Sequence, residues 1–391
     1  MTQNNSDNRC FEPLVVTLLP LLLLFCAIFG FDLSRSSLIT VLLLIISSLS
    51  PFLILTLGNQ YFIPYNLFEL SRESLRQTDL SNKCKPIFLF LIVIFAIEVS
   101  ISGNLPLFYY MGIFSSNIDY ASFGIKSLHG LFNSVCFLYF MLQVNTYNKR
   151  NILNIIFPLL LFTLTFARGW LFICIGYWFI NRLISLRSLI FHKSRIVNYI
   201  FMISGIILSC FIFGIIGQYR VFLSLDDPFW SAQFSLPFTQ SLLEWPYVYL
   251  VGSSANALNI IEFIQPMPEL LPEWLLSKVL PSALSSLIGG IKSPDVYDYE
   301  NLRIHELVTT SSIHADIYLV SGYIGCFIFF SIFWYFLSYF LKKSCYDKRF
   351  LILLPYMILQ AYLFPFSNIV LNLPFMLPYI ATFIFLKKSD F

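Results

Sequence analysis

Apolar runs long enough to cross a bilayer recur along almost the whole chain, and no other feature limits its fold as much. A spanning helix takes about 20 predominantly apolar residues. Such runs are read near 13–30, 37–57, 86–102, 127–145, 152–168, 169–186, 197–218, 313–340, 350–366 and 369–386. Only 12% of the residues are charged, against roughly a quarter in soluble proteins. With 43 phenylalanines, the chain cannot cover itself with a polar surface. These observations predict an all-α polytopic integral membrane protein with about ten transmembrane helices.

Lysine and arginine predict the orientation. With a cytoplasmic N-terminus, the outer segments keep only Arg35, Lys126, Arg168, Arg220, Lys278, Lys292 and Arg303 of the 24 basic residues. The remainder cluster on the side of the two termini, as the positive-inside bias requires. The eight cysteines all fall in spans or on that same side. Free thiols are a liability in an oxidising compartment, so their placement agrees with the charge argument and speaks against disulfides. Residues Met1 to Cys10 are polar, and the apolar run after them lacks a small-residue cleavage site, so it reads as a retained first span.

One long polar stretch, from about Arg220 to Ile313, interrupts the apolar pattern. It divides the chain into an N-terminal bundle (1–219, about seven spans), a large periplasmic loop (220–313) and a C-terminal bundle (314–391, about three spans). Asp226-Asp227-Pro228 reads as a solvated turn rather than a metal site. Residues 241–264 could lie as a helix in the membrane interface. Pro266, Pro268 and Pro272 break the chain, and Trp274 to Leu287 forms a second amphipathic candidate that Gly289-Gly290 ends. Residues 295–306 are the most polar piece.

The chain has no Walker-type phosphate loop, no His-Glu-x-x-His and no Gly-x-Ser-x-Gly. This gives no support to an ATPase, a zinc protease or a serine hydrolase. The informative groups are cationic and outward. Arg168 stands between two apolar runs and Arg220 ends the seventh span, both on the face where positive charge is disfavoured. A guanidinium fork pairs bidentately with phosphate oxygens and stays charged at physiological pH. The bland alternative is an arginine that snorkels to the interface.

His314 and Asp316 follow where the chain re-enters the membrane. On a helix His314 and Tyr318 share a face, and a histidine can take a proton from a hydroxyl nucleophile. The alternative is a histidine bonded to a loop carbonyl, with Asp316 favoured by the helix dipole. His305 with Glu300 and Arg303 forms a second candidate set at a polar loop tip. Glu98, near the outer end of the third span, needs a partner at that depth, and a nearby arginine could supply it. His129 starts a span and reads as a structural hydrogen-bonding group. Trp245, with Trp230 and Trp274, could stack on sugar rings or simply anchor at the interface.

Several patches carry a resemblance. Gly103-Asn104-Leu105-Pro106-Leu107, following Glu98, and Tyr120-Ala121-Ser122-Phe123-Gly124-Ile125 resemble an outer loop of bacterial O-antigen and oligosaccharide repeat-unit polymerases of the Wzy type. Ala167-Arg168-Gly169 and Gly214-Ile215-Ile216-Gly217-Gln218-Tyr219-Arg220 resemble that family's arginine patches. His314-x-x-x-Tyr318-Leu319, followed by Gly322-x-x-Gly325, is similar to a run in the related O-antigen ligases, from which Asp316 and the spacing depart.

The resemblance implies a GT-C-like membrane glycosyltransferase of the bacterial inner membrane, with both termini cytoplasmic. Its substrates would be undecaprenyl-pyrophosphate-linked oligosaccharides, with no metal or other cofactor and no nucleic acid, and a chain-length regulator could be a partner. Arg168 and Arg220 would offset the charge on the leaving pyrophosphate, and Arg303 could add to this. His314, or else His305 or Glu300, would receive the acceptor proton. Glu98, Asp316, Tyr318 and Trp245 are the further substrate-binding candidates. A ligase would differ only in its acceptor. A lipid-linked oligosaccharide flippase would place ionisable groups midway along several spans, whereas here they gather at the outer rim. A membrane acyltransferase would carry its motifs near the first spans, where none is found.

Overall fold

The computed structural model describes residues 8–10, 35–57, 62–64, 73, 75, 80–110, 126–146, 152–165, 167–187, 238–280, 311–364 and 372–386. The spans expected at 13–30 and 197–218 lie outside the described residues. The architecture is helical. The described helices are α1 (Arg35–Leu57), α2 (Ser81–Ser102), α3 (Pro106–Tyr110), α4 (Lys126–Asn145), α5 (Ile152–Leu164) and α6 (Arg168–Arg187). They continue with α7 (Phe238–Phe263), α8 (Leu271–Val279), α9 (Ile313–Ser344), α10 (Lys348–Leu363) and α11 (Leu373–Phe385). A small departure from the all-α expectation is an antiparallel ribbon, in which β1 (Asn8–Cys10) pairs with β2 (Phe62–Pro64) and Arg9 faces Ile63. The ribbon brings the chain before α1 back beside the chain that follows it.

Among the described residues, two helices are long and apolar enough to cross a membrane, over Cys84–Ser102 and Ile313–Ser344. The expected count of about ten does not follow from the described helices. At 1.5 Å rise per residue, the 13 residues of α5 and of α11 reach about 20 Å, short of the roughly 30 Å hydrocarbon core.

α2 shows how its sequence sets its packing. Cys84, Ile87, Leu91, Ile94 and Glu98 recur at alternating intervals of three and four, and all are buried. That spacing keeps one stripe of the helix against a neighbour, and the neighbour is α4. The other faces stay apolar but exposed, as at Leu89, Val93, Ile97 and Ile101. Gly103 ends the helix in the left-handed conformation (φ 70°), and its N–H reaches the Val99 carbonyl. A single apolar core runs through α2, α4, α6, α9 and α10.

Hydrogen bonds and ring contacts fix which helix ends meet. The start of α11 lies against α4, where Ser134 Oγ donates to the Pro374 carbonyl. It also lies against α6, where Trp170 stacks on Phe375 at 4.4 Å. The Ile313 N–H donates to the Phe364 carbonyl at 3.0 Å, joining the start of α9 to the end of α10. The ends of α2 and α10 and the starts of α4, α6, α9 and α11 therefore share one end of the bundle. At the other end Tyr177 donates to the Ile352 carbonyl at 2.8 Å and accepts from Asn145 at 2.7 Å. Asp347 caps α10 there and pairs with Arg349.

The polar middle stretch differs from its expected form. Residues 241–264 fall within α7, which runs 26 residues, and its segment 251–258 is wholly buried, against α1 and α9. Gly252, Ser253, Ser254, Ala255 and Ala257 are small enough for close approach. The next helix begins at Leu271, not Trp274, with Pro272 in its first turn, where a missing N–H costs nothing. It ends at Val279 rather than at Gly289-Gly290. Leu280 is extended (ψ 139°), as a residue before proline prefers, and Pro281 follows.

Candidate functional site

The end of the bundle that collects the helix starts also collects the buried ionisable groups. Glu98 comes from the last turn of α2, and its residue is 0% exposed. His129 comes from the first turn of α4 and places Nδ1 3.1 Å from Glu98 Oε2. The arginine considered as the partner of Glu98 is thus replaced, among the described residues, by a histidine. An ionised carboxylate only accepts, so Nδ1 is the protonated nitrogen in this arrangement. The imidazole also stacks on Phe132, which stacks on Phe95 of α2. These contacts tie the α2–α4 seam together and fix the ring plane.

A carboxylate has two oxygens, and only one is used. Glu98 Oε1 has no hydrogen-bond partner, nor have Asn133 Oδ1 and Asn104 Nδ2, all of them buried. Asn133 lies one turn along α4 from His129, on the same face. Asn104 follows the Gly103 cap at the end of α2, and its Oδ1 accepts from the Leu105 N–H. Buried polar groups are nearly always paired, so this group of amides and carboxylate is unusual.

His314 occupies the first turn of α9. Its ring is 4.9 Å from Phe330, and Ser312 Oγ lies 3.4 Å from Nδ1. The residue is 2% exposed. Tyr318, one turn on, packs edge-on against Tyr323 at 4.9 Å. Asp316 sits 3.8 Å from Lys278 of α8, so a lysine from the polar middle stretch, not only the helix dipole, faces it.

α9 is broken. Gly322 is non-helical, with φ 63° and ψ −165°, a region that only glycine enters readily. The break separates a half-helix, 313–321, from the long remainder. It also diverts the Leu319 carbonyl, which accepts from the Met267 N–H at 2.6 Å. Pro266 packs over the break. All ten residues from Ser311 to Val320 are buried, and Ser311 Oγ, just before the half-helix, has no hydrogen-bond partner.

Arg168 opens α6 at this same end, as the first helical residue rather than the last of the preceding run. Thr165 and Ala167 close α5 through bonds to Leu161 and Phe162. Arg220, Arg303, His305 and Glu300 lie outside the described residues, as do the side chains of Arg168 and Trp245. Among the described residues no group of three or more His, Cys, Asp or Glu could hold a metal ion. The cysteines Cys84, Cys136, Cys174, Cys326 and Cys345 are buried.

The chain matches no protein-family model, no curated protein and no solved structure.

Proposed function

We propose that this protein is a membrane glycosyltransferase that polymerises lipid-linked oligosaccharide repeat units at the outer face of a bacterial inner membrane. The observation that carries the reading is the gathering of Glu98, His129, His314 and the Arg168 helix start at one end of the bundle. The opposite end carries Lys342, Lys343, Lys348 and Arg349, the basic face expected toward the cytoplasm. The Arg9–Ile63 pairing supports this too, because it returns the chain to the side of residues 8–10 after α1.

In the reaction, an acceptor sugar hydroxyl attacks the anomeric carbon of the growing glycan. The bond from that carbon to the pyrophosphate oxygen breaks, and the lipid pyrophosphate leaves with the electron pair. Arg168 and Arg220 stabilise the charge that develops on it. The hydroxyl proton passes to a base at the same end, for which His314, His305 and Glu300 are the sequence candidates. The departing lipid pyrophosphate supplies the driving force, so no nucleotide is consumed.

The test is a cell lacking the chain, complemented with the wild type, with Arg168→Ala or with Arg220→Ala. The expected result is a full glycan ladder from the wild type only, and accumulation of single-repeat glycolipid in the others. A full ladder from a further variant carrying both substitutions sinks the phosphate-clamp assignment.

The break at Gly322 favours a second reading, a lipid-linked oligosaccharide flippase, because transporters use half-helix ends near their substrate sites. The leaflet separates the two. A missing polymerase leaves the single-repeat lipid accessible to periodate from outside spheroplasts, and a missing flippase leaves it protected.

A further inference from the structure

We propose that the last turns of α9 seat an anionic phospholipid, with its phosphate at Lys343 and Tyr346 and its acyl chains along Tyr339, Tyr335, Ile332 and Ile328. The seat is independent of the glycosyltransferase reading and requires only that α9 cross a bilayer.

Three observations carry it. First, the six residues form one stripe. They recur at intervals of three and four, which keeps them on one face of the helix, and all six are exposed. Phe330, Phe333 and Leu337 fill the opposite, buried face. Second, the top of the stripe suits an anion. Lys343 Nζ lies 5.7 Å from the centroid of the Tyr339 ring, which holds the ammonium over the apolar track. The Lys343 carbonyl accepts from the Tyr346 and Asp347 N–H groups, both at 2.9 Å, so the turn after α9 keeps Tyr346 close behind the lysine. Asp347 is the single carboxylate between Tyr335 and Phe350. It is buried, and both its oxygens accept from the Arg349 guanidinium, so its charge is matched by Arg349.

Third, length and side-chain size select a lipid over a second copy of the chain. Lys343 stands 11 residues beyond Ile332, a rise of about 16 Å. That is close to half of the roughly 30 Å hydrocarbon core, the depth of one leaflet. Every residue of the track below Lys343 is β-branched or aromatic. Helices in membranes approach one another through small residues, as the buried Ser253, Ser254 and Ala255 of α7 illustrate. A bulky, uneven face is better covered by flexible acyl chains. The ammonium and the Tyr346 hydroxyl then meet the phosphate as donors.

The experiment uses the full chain purified in detergent. It is titrated with phosphatidylglycerol or with phosphatidylcholine of the same acyl chains, and native mass spectrometry reads bound lipid and subunit number together. The wild type is expected to bind phosphatidylglycerol at least fivefold more tightly. Lys343→Gln should weaken that binding about fivefold, and Tyr339→Leu, which takes the ring from under the ammonium, about threefold. Lys85→Gln removes the same charge from an exposed position near the start of α2, on the same side of the bundle, and should change binding less than twofold. All three side chains are exposed, so melting without added lipid should match the wild type. Equal weakening by Lys85→Gln and Lys343→Gln would mean diffuse surface charge and overturns the seat. Equal affinity of the wild type for the two lipids, or a dimer that binds neither, overturns it as well. A chain recovered in the soluble fraction without detergent would show that α9 does not cross a bilayer, and the seat falls with it. An intact glycan ladder in cells lacking the chain counts against the polymerase reading alone.

Discussion

Lys278 and Asp316 face each other at 3.8 Å across the boundary between α8 and the half-helix of α9, with both side chains largely buried. This pair joins the polar middle stretch to the residues that begin the broken helix. The Met267–Leu319 hydrogen bond joins the same two pieces a short way along. The segment 264–280 is therefore held to the bundle by backbone and by charge.

Removing either member of that pair leaves the other charge in a poorly solvated place. Lys278→Ala and Asp316→Asn are each expected to destabilise the detergent-solubilised protein by about 1–3 kcal/mol. Thermal unfolding of both single variants and of the double variant measures it. The double variant should recover about 1 kcal/mol relative to the sum. Strict additivity would mean that the contact contributes nothing.

Gly322→Ala tests the break in α9. A Cβ there would meet Pro266 at 3.5 Å, an ordinary contact, so space is not the obstacle. The backbone is: at φ 63° and ψ −165° an alanine costs about 1–3 kcal/mol. A lowered melting temperature is the expected outcome, and an unchanged one would mean that the break is not held in the folded protein.

At the opposite end, Asp347 accepts from the Arg349 N–H at 2.9 Å and from its guanidinium at 2.7–3.2 Å. The guanidinium also lies 4.9 Å from the Phe383 ring. Asp347→Ala loses the cap and the fork together and should cost about 2 kcal/mol. Arg349→Lys keeps the charge but not the planar fork, and should cost about half as much. No loss from Arg349→Lys would assign the pair's contribution to charge alone.

Thiol labelling checks the orientation. Burial pushes the Cys345 thiol, just beyond α9, up to about 11, so it reacts slowly near neutral pH. Cys84, Cys136, Cys174 and Cys326 are buried as well. A cysteine placed at Gln240, near the start of α7, should react with a membrane-impermeant maleimide in intact spheroplasts. Labelling of that site only after lysis would invert the assigned topology.

Part of this arrangement is legible in the residues. The three-and-four spacing of Cys84, Ile87, Leu91, Ile94 and Glu98 announces both α2 and the burial of its carboxylate. Helix limits at α1, α4 and α6 follow from the apolar runs to within two residues. The partner of Glu98 does not follow, because a pairing between residues 31 positions apart depends on how two helices meet, and no local pattern records it. The depth of α7 was hidden for a related reason: serines, alanines and an asparagine look polar in sequence, yet small size is what close packing needs. Pro281 was the available signal for the end of α8, and its effect on Leu280 outranked the later glycines. The break at Gly322 has only a glycine to mark it, since the conformation comes with Pro266 and Met267 lying against it.

The broken helix has one more consequence. Because the Leu319 carbonyl is served from outside, the half carrying His314 does not inherit its rotation from the long half below. Adding or removing a residue beyond Gly322 would turn Phe330 and everything after it by about 100°, while Met267 and Lys278 kept the short half aimed as before. Fitting the long piece to the thickness of its surroundings, and aiming the histidine, are separate tasks assigned to separate parts of one continuous stretch of chain.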